Sequence, residues 1–174
     1  AISTLARLAL HEDSSAVAST VPDVRLRDWE AIESAARQLS IQIAPKQEAR
    51  RPEDLEGCFA RIHREKAGAV LVLPSAFFSA HASQIAALAA KSRVPAVYEH
   101  EDFVNSGGLI SYGPSPRDIF RRVAGYTDRI LRGRTPAELP VEQVDILELV
   151  INLKAARALG LSFPQPLLGR AHRV

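Results

Sequence analysis

Residues Ala67-Gly68-Ala69-Val70-Leu71-Val72-Leu73 form an almost uninterrupted apolar run that stops at Pro74. A strand with one wet face alternates apolar and polar residues. A run without alternation predicts a strand covered on both faces, as in a parallel sheet lying under helices. Leu5 to Leu10, Ile41 to Ala44 (stopped by Pro45), Val94 to Tyr98 and Gly108 to Tyr112 (closed by Gly113-Pro114) also read as strands. Helical patterns separate them. Asp28 can cap a helix over Trp29 to Leu39, with Trp29, Ile32, Ala36 and Leu39 on one stripe. A second helix begins near Pro52, with Glu53 and Asp54 at its positive end and Leu55, Phe59 and Ile62 on its apolar face. An alanine-rich helix follows over Ala80 to Lys91. Strand and helix thus alternate from residue 5 to about 98. Such alternation implies right-handed crossovers, so the expected fold is α/β, a three-layer Rossmann-like sheet. Its first four strands, beginning at about Leu5, Ile41, Ala69 and Pro95, are expected to be parallel.

The last third departs from the alternation. Ser115-Pro116 can cap a long helix through about Arg132, carrying Ile119, Phe120, Val123, Ile130 and Leu131, and Gly133 stops it. Thr135 to Asp145 holds two prolines and reads as an extended connection. Ile146 to Ile151 is a strand or helix entry. Asn152 caps a short helix over Leu153 to Leu159, Gly160 ends it, and the tail with Pro164 and Pro166 is irregular. The organisation expected is a lobe over 1–113, a returning helix and connection over 114–145, and a part over 146–174 that packs back on the lobe.

Charge and cysteine usage remove several classes of function. Lys+Arg total 22 against 20 Asp+Glu, a net charge of +2, whereas phosphate binding needs a concentrated basic excess, so no nucleic-acid partner is expected. The single cysteine, Cys58, excludes an internal disulfide and a multi-cysteine metal site. Its position beside Phe59 suits a small packing residue rather than a nucleophile. No apolar run approaches the roughly 20 residues that span a bilayer. The chain has no methionine and starts at Ala1 without a signal-peptide pattern, which suggests a processed or excised piece.

In an open parallel α/β sheet, ligands bind outside the carboxyl ends of the strands. That rule selects the loops at His11 to Ser15, Pro74 to Phe78, Tyr98 to Asp102 and Tyr112 to Pro114. They gather hydroxyls (Ser14, Ser75), aromatics (Phe77, Tyr98, Tyr112), carboxylates (Glu12, Asp13, Glu99, Glu101) and imidazoles (His11, His100). A small polar or zwitterionic ligand with an apolar body wants this mixture, although strand-end loops are polar in any case because they meet water. His-Glu-Asp occurs twice, at 11–13 and 100–102, and could in principle hold zinc or manganese in a small metal-dependent enzyme. Neighbouring loop residues rarely aim at one centre, so neither a metal nor another cofactor is expected. Ser106-Gly107-Gly108 lacks the lysine and following helix of a phosphate loop and reads as a turn. No Gly-x-Ser-x-Gly elbow is present, and no catalytic residue is assigned.

The C-terminal half carries a recognisable run of motifs. Gly107-Gly108-Leu109-Ile110-Ser111-Tyr112-Gly113-Pro114 is followed by Ile119-Phe120-Arg121-Arg122-Val123-Ala124-Gly125-Tyr126 and Asp128-Arg129-Ile130-Leu131-Arg132-Gly133. Pro136 to Gln143 and Glu148 to Leu161 complete it, and Ala67 to Pro74 with Arg93 to Tyr98 also match. From about Leu8 to its end the chain resembles substrate-binding proteins of ABC importers of the tryptophan/tyrosine-binding type, a branch of the type I periplasmic binding proteins.

The resemblance implies a two-lobed binder that closes on a small amino-acid-like molecule, aromatic in the family's own preference, and presents it to a membrane permease. It also implies a periplasmic or lipid-anchored extracellular location, and no catalysis. Family members are about twice this long, so the chain resembles the C-terminal lobe with its hinge-crossing segments. By the family pattern Tyr98, Glu99, Ser75 and the His11 to Ser14 loop supply half of a ligand site. Phe77 and Tyr112 join them from the strand-end reading. Three departures fall in these loops: His11 to Ser15 where the family has Asn-Pro, Ser75 where it often has Asp, and Glu101-Asp102 where it usually has Arg-Glu. A lobe repurposed as an interaction or sensory module is the rival reading. In the family the helix at 115–132 packs on the other lobe, so here its apolar stripe is expected to pair with a second copy in a homodimer.

Overall fold

The structure, a computed structural model, describes residues 16–20, 26–44, 47–142 and 146–174, with side chains from residue 29 onward. The strands are β1 (Ala16–Thr20), β2 (Gln42–Ile43), β3 (Ala69–Val72), β4 (Ala96–Tyr98), β5 (Ile110–Pro114) and β6 (Leu147–Ile151). The helices are α1 (Leu26–Gln38), α2 (Pro52–Arg64), α3 (Ala76–Ala80), α4 (Ala82–Lys91), α5 (Glu101–Asn105), α6 (Pro116–Leu131), α7 (Leu153–Leu159) and α8 (Gln165–Leu168). All six strands join one sheet in the order β2-β1-β3-β4-β5-β6. The first five are parallel and β6 runs antiparallel to β5, with Pro114 opposite Leu147.

β1 pairs with both β2 and β3, so the winding direction reverses there. Right-handed crossovers then put α1 on the face opposite α2, α4 and α5. The burial of alternate residues follows. Val70, Val72, Ala96 and Tyr98 pack with Leu55, Phe59 and Ile62 of α2 and Ile85 of α4. Ala69, Val97 and Ile110 face the other way, into a core with Leu149, Ile151, Ala156, Phe163 and Leu167. Because both faces of β3 are covered, its sequence cannot alternate, which is the physical origin of the apolar run at 67–73.

Several expectations need correcting. β1 occupies 16–20, where the sequence shows only a loose stretch, while the strand expected at Leu5 to Leu10 lies outside the described residues. α1 begins at Leu26, so Asp28 stands within its first turn rather than at the cap. The helix expected over 80–91 starts at Ala82, and a separate short helix, α3, precedes it over 76–80, the two parted at His81, whose φ is −113°. Glu101 and Asp102, expected in a loop over Tyr98 to Asp102, instead open the helix Glu101–Asn105 behind His100. The tail contains α8, and a bridge joins Val150 to Arg173. The caps at Ser115 and Asn152 and the left-handed stop at Gly160 are as expected.

α6 stands apart from both cores. It is anchored at its root, where Ser115 caps it and the buried Asp118 accepts from Arg122 at 2.7 Å. Arg122 also reaches Glu142 at 3.3 Å, and the Tyr126 hydroxyl donates to the Pro140 carbonyl, so the following segment is tied to the helix. Phe120, Val123, Ile130 and Leu131 are exposed along it.

Candidate functional site

Parallel strands end at a common edge, and here β3, β4 and β5 deliver Leu71-Val72-Leu73-Pro74, Val97-Tyr98-Glu99 and Tyr112-Gly113-Pro114 to one groove. β6 starts at that edge because it runs the other way, and so adds Leu147. α1 contributes Ile32 from the same face. The groove encloses about 330 Å³. Its walls are apolar, and among the described residues Glu99 is the one acidic or basic side chain lining it. Glu99 is half-buried, and its carboxylate has no hydrogen bond or ion pair among the described residues.

Gly113 is what lets the two strand ends close on each other. A Cβ there would lie 2.2 Å from the Glu99 carbonyl oxygen and 2.8 Å from its Cγ. Any larger residue would push Glu99 away from the groove.

The structure brings together some of the expected site residues and separates others. Glu99 and Tyr112 line the groove. Tyr98 borders it, but its side chain is 1% exposed, sits in the core of the opposite face, and stacks on Phe103 at 4.6 Å. Strand alternation sends it there, because Val97 takes the groove side. Among the described residues the Tyr98 hydroxyl has no hydrogen-bond partner, and burial pushes its pKa upward. Ser75 follows Pro74 but does not line the groove, and its hydroxyl caps α3 by accepting from the Phe77 amide at 3.2 Å. Phe77 is turned away into contact with Phe78 and with His81, whose ring lies 4.5 Å off. His11, Asp13 and Ser14 lie outside the described residues, and they precede β1 rather than follow it.

Ile32, Leu71, Leu73, Val97, Pro114 and Leu147 form most of the wall, and a search for polar loop residues passes over all of them. The signal that could have found them is the alternation along each strand, which fixes a groove-facing set once the buried set is known.

Other reactive groups are held elsewhere. Glu101 pairs with Arg173 at 3.1 Å, and Arg173 also donates to Asn105 at 2.6 Å. Among the described residues no three His, Cys, Asp or Glu side chains converge. Cys58 is buried in the α2 core, where burial pushes its thiol pKa up against the opposing pull of Arg61. His172 accepts from the Leu149 amide and so fastens the tail to β6.

The family described as ABC transporter substrate binding protein matches over residues 16–174. No curated protein matches the chain. A conserved domain protein from Vibrio cholerae O1 biovar El Tor superimposes with a TM-score of 0.84 at 21% identity, covering 99% of this chain and 59% of its own. A Streptococcus pneumoniae ABC domain in complex with L-Trp gives 0.84 at 19% identity, with 99% and 58% covered. A ligand-free, open substrate binding protein with adhesive properties from Clostridium difficile gives 0.70 at 14%, also with 99% and 58% covered. These likenesses establish a periplasmic-binding-protein fold. The chain spans less than two thirds of the length of the structures it matches.

Proposed function

The chain belongs to the ABC transporter substrate binding protein family, and from that premise we propose that it captures a small organic solute in the strand-end groove and passes it to the permease of an ABC importer. The observation that carries this reading is the groove itself, an apolar recess that holds the Glu99 carboxylate, without a partner among the described residues, where open parallel sheets bind ligands. The similar fold that holds L-Trp supports a solute of amino-acid size. At about 330 Å³ the groove is near the lower limit for small-molecule sites, which suits half of a cleft that a second lobe completes. The standing-off of α6 and the return of β6 to the sheet support reading 114–145 as the hinge-crossing part. Delivery to a permease places the protein outside the cytoplasmic membrane, in the periplasm or on a lipid anchor. No helix among the described residues is long and apolar enough to cross a membrane.

Leu147 is a partly exposed residue at the groove's rim, so Leu147→Arg should fold and place a cation against Glu99. A calorimetric screen of small organic amines, acids and neutral metabolites should yield a binder that this variant loses. A binder indifferent to Leu147→Arg would move the site elsewhere, and no binder at all would overturn the reading.

The bare stripe on α6 favours a second, independent reading, that this lobe also recognises a copy of itself. Phe120, Val123, Ile130 and Leu131 point into water together with the neighbouring Val141. Two such faces laid against each other bury on the order of 1,000 Å², about the threshold for a specific interface.

A further inference from the structure

We infer that the lobe carries a second ligand site at the other edge of its sheet, for a single-chain amphipathic carboxylate whose alkyl chain lies between α4 and α7 and whose carboxylate meets Lys66 and Arg93. The inference goes beyond the strand-end groove and does not depend on it. Gly68 leads into β3, Val94 into β4 and Gly108 into β5, so these residues mark the amino ends of the parallel strands. The second lobe of the reading above would close on the opposite edge. Ala86, Ala89 and Ala90 of α4 line a recess of about 280 Å³ together with Ala155, Ala158 and Leu159 of α7. Methyl side chains on both helices leave a slot that larger ones would fill. Tyr98 lines it too, and its buried hydroxyl has no partner among the described residues, so packing at that wall is incomplete.

A second recess, of about 310 Å³, adjoins the first, since Val94 and Leu159 line both. His63, Lys66 and Arg93 line this one, and Lys154 lines the first. The Lys66, Arg93 and Lys154 side chains make no ion pair among the described residues. Cations gather at helix carboxyl ends without any ligand, because they offset the negative end of the helix. Lys66 and Arg93 go further. Both hold left-handed backbone, with φ of 54° and 53°, where glycine is the relaxed choice. Each keeps a charge against backbone strain, and both charges line one recess. A carboxylate with a hydrocarbon chain meets these cations and covers the alanine walls in a single pose. An uncharged chain does only the second, and an alkylammonium brings like charge to the same place.

The test uses octanoate, octanol and octylamine, the same chain under three head groups. Calorimetry on the wild type should give octanoate the tightest binding, roughly tenfold or more over octanol, with octylamine weakest. Lys66→Gly combined with Arg93→Gly removes both charges and suits the left-handed backbone. That variant should keep its melting temperature and bind octanoate roughly 10- to 100-fold more weakly. Ala158→Phe, at an exposed position on α7, should fill the recess and weaken octanoate and octanol alike by roughly tenfold or more. Leu147→Arg, at the groove, should leave octanoate binding at wild-type strength. Octanol or octylamine binding as tightly as octanoate overturns the inference, as does wild-type affinity for octanoate in either recess variant. Loss of octanoate binding in Leu147→Arg overturns it by moving the ligand to the groove, and so does a wild type that binds no octanoate. None of these results counts against the groove as a solute site.

Discussion

Tyr98 shows how much a single residue's fate depends on which way its strand faces. As a tyrosine beside a strand end it has the chemistry of a ligand contact, yet its ring is core and its hydroxyl is buried without a partner among the described residues. A buried, unsatisfied hydroxyl costs roughly 1–3 kcal/mol. Tyr98→Phe should therefore stabilise the fold by about 1 kcal/mol, read as a higher urea midpoint at unchanged slope. A loss of stability would mean that the hydroxyl has a role the structure does not show. Asp54 is the opposite case, a polar residue with both carboxylate oxygens hydrogen-bonded. It takes the backbone amides of Arg50 and Arg51 at 3.1 and 3.0 Å, and these bonds, with Arg51 behind them, hold its carboxyl below the ordinary value of 3.8. A carboxyl depressed by folding adds stability above its unfolded pKa and loses it as pH falls through the folded one. Asp54→Ala should accordingly lower the urea midpoint at neutral pH, and the gap from wild type should close as the pH drops below the carboxylate range. A gap that persists in acid would tie the effect to helix propensity instead.

Between elements, the contact that shapes the site is the one where β5 outlasts β4. Tyr98 pairs with Ser111, and two residues further Gly113 lies against the Glu99 backbone. A methyl group there meets a carbonyl oxygen at 2.2 Å, so the strands must part. Gly113→Ala should cost about 1–3 kcal/mol, the usual range for overpacking, and should weaken solute binding by displacing Glu99. Thermal melts and calorimetry check both, and an alanine variant of wild-type stability would show that the strand ends yield more easily than the geometry indicates. The split at His81 belongs to this scale too. Alanine-rich sequence from 76 to 91 gives no local reason to stop a helix. The break follows from packing, since Phe78 is fully buried while Ile85, Leu88 and Ala89 must reach the same core from the next helix.

For the whole molecule the unusual feature is a 16-residue amphipathic helix with Phe120 73% and Leu131 81% exposed. Each large side chain of that kind is worth roughly 1.5–3 kcal/mol when removed from water. A two-fold pairing covers the same stripe on both partners at once. Sedimentation at tens of micromolar should find the 174-residue chain dimeric, and Phe120→Glu should return it to monomer without altering its far-UV circular dichroism. A clean monomer at that concentration would overturn self-association through this face.

The doubly covered run at 67–73, the caps at Ser115 and Asn152, the glycine stop at 160 and the amphipathic stripe of α6 are all legible in the residues themselves. Each is a local matter of side-chain period or backbone freedom, which is why the α/β class and the order of most elements follow from the sequence. The site was less legible. Glu99 and Tyr112 could be picked out, whereas Ile32, Leu71, Val97 and Leu147 come from four elements separated by up to 115 positions and share nothing in sequence but apolarity. The sequence determined the α/β class and most of the longer strands and helices, but not β1 at 16–20 or the short helices α3, α5 and α8. Only the tertiary structure decided that Val97 rather than Tyr98 faces the groove, that Ser75 is spent on a helix cap, and that Glu99 lines the groove. Those outcomes depend on strand register and on which face each crossover covers, and a shift of one residue in either would exchange every inward side chain for its neighbour.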